Sequence, residues 1–142
     1  MRGAAALLSA ALTCAFCAPA GADEGLSAGA YEVRYRLELP HVESRDEAAA
    51  TICLSGRDAA PPVLSANNPL AHCPADHIRR DGAELSFDIA CPGPNAAKAY
   101  ALFAVRGERF EGRIAMNMGG KNMTMTEVQQ GRRIGDCAAP VH

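Results

Sequence analysis

Tryptophan is absent from this chain and aromatic residues make up only 5% of it, which suggests a core built on Ala, Val, Ile, Leu and Met. Long apolar runs are lacking as well. The only one, Gly3 to Ala18, falls short of the ~18–20 residues needed to span a bilayer. Positive charge is in deficit, with 14 basic against 16 acidic residues and no basic cluster beyond the pairs Arg79-Arg80 and Arg132-Arg133. Neither nucleic acid nor an anionic membrane surface is therefore expected as a partner. Catalytic patterns are missing too. His41, His72, His77 and His142 fall in predicted loops or ends, and none stands near a Ser or Cys in a nucleophile elbow. No enzyme activity is expected.

What is present begins with an export signal. Met1-Arg2 leads into the apolar stretch, and Ala20-Gly21-Ala22 precedes the first acidic residues, Asp23 and Glu24, which predicts cleavage near Ala22 and delivery to the periplasm. Residues 1–22 are then a signal peptide and residues 23–142 a single domain, long enough for one core and no second. Removal of the signal takes Cys14 and Cys17 with it. The four remaining cysteines, Cys53, Cys73, Cys91 and Cys137, read as two disulfides in an oxidising compartment. His72, Cys73 and His77 resemble a metal cluster on paper, but a disulfide cysteine flanked by exposed histidines explains them more simply.

The clearest structural signal is Ala30 to Leu39, where Tyr31, Val33, Tyr35, Leu37 and Leu39 alternate with charged residues; period two predicts a half-buried strand. Further strands are expected at Ala48–Leu54, Asp76–Arg80, Glu84–Cys91, Lys98–Arg106, Phe110–Met118 and Asn122–Gln130. Between the second and third lies Ser55 to Ala71, a long connection rich in turn formers in which Ser55 and Asp58 could cap one helical turn before Pro61-Pro62. The fold class is all-β: an antiparallel meander of six to eight strands forming a small barrel or a strongly curved sheet. A three-residue turn Asp81-Gly82-Ala83 sets Cys73 across from Cys91 and leaves Cys53 for Cys137; one residue more or less in that turn abolishes the register, and Cys53–Cys73 with Cys91–Cys137 is then the alternative.

Four of the five methionines crowd into one hairpin. With Gly119-Gly120-Lys121-Asn122 as its loop, Met118 faces Met123, Met116 faces Met125, and all four thioethers share one side of the sheet. Such a face suits core packing or contact with an apolar ligand or another envelope protein. It is also a candidate Cu(I) or Ag(I) site, because thioethers are soft ligands that survive where thiols oxidise.

The chain resembles the domain of unknown function 3617 family, small exported proteins of Gram-negative bacteria. The resemblance runs from Gly29 to Cys137 through Gly29-Ala30-Tyr31-Glu32-Val33, Thr51-Ile52-Cys53-Leu54, Ala90-Cys91-Pro92-Gly93-Pro94, Phe110-Glu111-Gly112, the Met-rich hairpin and the ending Gly131-Arg132-Arg133-Ile134-Gly135-Asp136-Cys137. Tyr31 stands where relatives usually have Trp. The resemblance implies a periplasmic location and an all-β fold, and it brings no activity with it.

Overall fold

The computed structural model describes residues 25–42, 46–56, 59–120 and 122–138. The signal segment, Asp58, Lys121 and His142 lie outside them, and so does the proposed cap at Ser55 and Asp58. Seven strands follow in order: β1 (Gly29–Glu38), β2 (Ala48–Leu54), β3 (Ala75–Asp81), β4 (Glu84–Ala90), β5 (Lys98–Arg106), β6 (Arg109–Asn117) and β7 (Thr124–Gly135). A short 3-10 turn, Pro69–His72, capped by the side chain of Asn68, is the only helical element among the described residues. All neighbours are antiparallel, in the order β2-β1-β7-β6-β5-β4-β3.

The sheet is not closed. A barrel would need β2 to pair with β3, and these are its two free edges. The reason lies in the connection between them. Residues 59–73 cross the buried face of the sheet instead of running round it, and Pro61, Val63, Ser65, Asn68 and Leu70 sink into the space that an opposing barrel wall would occupy. β7 also runs past the expected end at Gln130 to Gly135, because it pairs with β6 on one side and β1 on the other.

Strict alternation puts Leu85, Phe87 and Ile89, Ala99, Ala101, Phe103 and Val105, and Phe110, Ile114 and Met116 on the covered face. The core is less aliphatic than the composition suggested, because four of the chain's few aromatic rings gather in it and chain across this face. Tyr31 lies 5.7 Å from Phe110, Phe110 meets Phe103 edge-on at 5.6 Å, and Phe103 stacks on Phe87 at 6.0 Å. The buried Tyr31 hydroxyl donates to the Ser27 carbonyl at 2.7 Å. Burial raises the pKa of that phenol above its ordinary value of 10.0, with Arg133 pulling it back and Glu108 adding to the rise.

Two of these rings need a glycine opposite. Phe103 pairs with Gly112 and Phe110 with Gly131, and a Cβ built on either glycine collides with the facing ring. Gly131→Ala is therefore expected to destabilise the protein by roughly 2 kcal/mol, since the ring can move only by disturbing two further aromatics. A thermal midpoint lowered by about 10 °C would show it; an unchanged midpoint would mean that the ring ladder is loosely packed.

Both disulfides have the pairing that the three-residue turn predicted, Cys53–Cys137 and Cys73–Cys91. The route to Cys73–Cys91 differs. The β3–β4 turn holds two residues, Gly82 and Ala83, between the paired Asp81 and Glu84, which by itself puts the cysteines one residue out of step. A bulge at His77 and Ile78 restores the register, so that Ala75 faces Ile89; His77 takes a left-handed φ of 50° to make it.

Candidate functional site

The hairpin register is the expected one. Met116 pairs with Met125, the Met118 amide donates to the Met123 carbonyl at 2.8 Å, and the loop closes through Asn122 N–H to Gly119 O at 3.0 Å with both residues at positive φ. The four methionines then part company in depth. Met116 is buried, Met118 and Met125 pack half-buried against the core, and Met123 is 47% exposed at the tip. The Met116 sulfur accepts a hydrogen bond from Asn68 Nδ2 at 3.2 Å. The covering connection is thus tied to the very face that the methionines line, and that face is core along most of its length.

A second tie is polar and fully buried. Glu127 and Gln129 point inward from β7 and have no exposed surface. Glu127 Oε1 accepts from the Leu64 amide at 2.8 Å and Oε2 from the Ser65 amide at 2.9 Å. Gln129 Nε2 donates to Glu127 Oε1 at 2.6 Å and to the Pro62 carbonyl at 2.7 Å, which fixes the orientation of its amide; its Oε1 finds no partner among the described protein groups. Three N–H donors satisfy the carboxylate, and among the described residues it has no ion pair. The sequence offered one signal for this pair. Counting by twos from Met125 puts 127 and 129 on the core side, where two polar residues must be holding something.

The histidines are dispersed. Cys73 is consumed by its disulfide, His72 is exposed at the end of the 3-10 turn, and His77 sits on the β3 bulge with Nδ1 3.1 Å from Asp88 Oδ2 and 3.8 Å from Asp76 Oδ2. Among the described residues no three His, Cys, Asp or Glu side chains gather as a metal-holding group.

With one face of the sheet covered, the other is left to solvent, and it forms a groove of about 830 Å³. Register explains its floor. Asp76, Asp88, Tyr100, Ala115, Thr126 and Glu38 are successive cross-strand partners from β3 to β1, one unbroken row on the face away from the core. Tyr100 is 52% exposed there, and its neighbour along β5, Leu102, is 42% exposed. Charge gathers at the two ends of the row. At one end stand Asp76 and Asp88 with His77; at the other, Glu38 is bound by Arg36 and Arg113. The groove is of the size that takes a small ligand, and its apolar middle between polar ends suits an amphiphile.

Compared with known proteins, residues 26–137 match a family model described as "Protein of unknown function (DUF3617)". No curated protein and no solved structure matches the chain.

Proposed function

The chain belongs to the DUF3617 family, and we propose that it is an exported, non-enzymatic binding protein whose open sheet face takes an alkyl-chain amphiphile with a cationic head. The observation that carries this reading is the row from Asp76 to Glu38, which puts an exposed tyrosine, an alanine and a threonine on the floor of a ligand-sized groove. Charge selects the head group. The lining residues include three carboxylates, Glu38, Asp76 and Asp88, against Lys98 and His77, and the Glu38 end already has its arginines. A cation is accommodated at the Asp76–Asp88 end, and an anionic head is disfavoured there. Export to the periplasm fits the N-terminal signal and a domain fastened by two cystines.

The test is calorimetric titration of the mature protein with dodecyltrimethylammonium, below its micelle concentration, against dodecanoate. Saturable one-to-one binding of the cation is expected, with dodecanoate weaker and Ala115→Arg at least tenfold weaker, because the guanidinium fills the floor. Equal binding by the Ala115→Arg protein, or no saturable binding of the cation, would overturn the reading.

A second reading keeps the soft-metal site at the hairpin. The observation favouring it is that exposed Met123 stands across from half-buried Met118, next to the Met116–Met125 pair. Because Asn68 already engages the Met116 sulfur, Met118, Met123 and Met125 would have to supply the ligands for Cu(I) or Ag(I). Titration with Ag(I) against a competing chelator, in wild type and Met123→Leu, decides it: one-to-one binding lost in the variant supports the site, and binding unaffected by Met123→Leu removes it.

A further inference from the structure

The two edges of the sheet are built differently. β3 is guarded by charge and by shape: Asp76, His77, Arg79, Arg80 and Asp81 crowd seven residues, and a bulge breaks its line. β2 has none of these. Ala48-Ala49-Ala50-Thr51-Ile52-Cys53-Leu54 carries no charge, no proline and no glycine, pairs with β1 in unbroken register, and leaves Ala48, Ala49, Thr51 and Cys53 exposed. Nor is it free to fray, since Cys53 is bridged to Cys137 just beyond β7, across the intervening β1. A straight, uncharged edge held in place is a template for another strand.

We infer that β2 pairs antiparallel with β2 of a second copy about a two-fold axis at Thr51, joining two seven-stranded sheets into one. The sequence of the strand is what selects a second copy as the occupant, because it complements itself in this register. Ala48 meets Leu54 of the other copy, Ala49 meets Cys53, Ala50 meets Ile52, and Thr51 meets Thr51. Each larger side chain falls opposite an alanine, and the central pair is the threonine pair that sheets favour. Over residues 47–55 no like charges are brought together, since Glu47, which is paired with Arg34, comes opposite Ser55. On the core side the pairing also covers Ile52, which is only partly buried against the core of its own sheet. The interface is isologous, so it closes at the dimer instead of propagating into a fibre, and the guarded β3 edges end the sheet on both sides.

The inference rests on the sheet edge and is independent of the groove. Sedimentation of the mature protein up to roughly 0.5 mM, a range in which a small edge-to-edge interface still associates, is expected to show a dimer. Thr51→Lys and Thr51→Glu each set like charges face to face and are expected to weaken dimerisation about tenfold or more, while an equimolar mixture of the two restores a heterodimer. Thr51 is exposed, so both variants keep the wild-type circular dichroism spectrum. Ala115→Arg in the groove and Arg79→Glu on the β3 edge leave the dimer intact. A wild type that stays monomeric overturns the pairing and leaves the edge to a strand of some other protein. A dimer indifferent to both Thr51 substitutions, or one lost with Arg79→Glu, overturns it as well.

Discussion

Glu127→Ala is expected to cost about 4 kcal/mol, as much as truncating a fully buried core aromatic. Truncation strands the amides of Leu64 and Ser65 without an acceptor and releases the Gln129 amide, all in a site that water does not reach. Each lost bond to a charged acceptor is worth ~1.5–3 kcal/mol, partly offset by removing the desolvation cost of the carboxylate. Glu127→Gln is expected to cost about 2 kcal/mol, because its amide can replace only one of two accepting oxygens and turns a donor toward an N–H. Denaturant unfolding gives the magnitudes, and native-state hydrogen exchange locates them. Fast exchange at Leu64 and Ser65 with unchanged protection in β5 would show that the connection lifts from the sheet before the sheet melts. If Glu127→Ala unfolds within about 1 kcal/mol of wild type, the carboxylate does not hold the connection down.

Removing the Cys53–Cys137 bridge by a double Cys→Ala substitution is expected to destabilise the protein by roughly 4.5 kcal/mol, against about 3 kcal/mol for Cys73–Cys91. The difference follows from loop length, 84 residues against 18, because the longer link takes more freedom from the unfolded chain. In a domain of this size either loss is a large fraction of the whole stability. The two variants should also fail differently. Without Cys53–Cys137 the β2 edge is held by β1 alone, and its amides should exchange early; without Cys73–Cys91 the end of the connection at Cys73 is freed from β4. Equal losses in the two variants, within about 0.5 kcal/mol, would contradict the loop-length explanation.

Much of the sheet could be read directly from the residues, because period two is a local signal. Tyr31, Val33, Tyr35 and Leu37 alternating with charges defined β1, and the Gly119-to-Asn122 loop fixed which methionines face each other. Disulfide pairing was legible only through compensation: the turn at Gly82-Ala83 is one residue shorter than expected, and the bulge at His77 cancels the error. What could not be read was the third dimension of the connection. Nothing local in Pro61 to Leu70 says that it lies across β6 and β7, and without that placement a barrel and an open sheet share the same strand list. Glu127 and Gln129 carried the missing information, since polar residues at core-facing positions of a strand imply a polar partner arriving from elsewhere in the chain. The same placement decides which face is left open for the proposed ligand. It turns the methionine face into core and leaves the Tyr100 face as the open one.

The division of the sheet into a covered face and an open face proposed to bind is best tested by following backbone amide signals during titration with dodecyltrimethylammonium. The strands that carry both faces also carry residues unique to each. The account predicts saturable shifts at Asp88, Tyr100, Ala115 and Thr126, with Val63, Leu64 and Ser65 undisturbed. Shifts centred on residues 61–70, as the connection lifts and the amphiphile enters between it and the sheet, would contradict it.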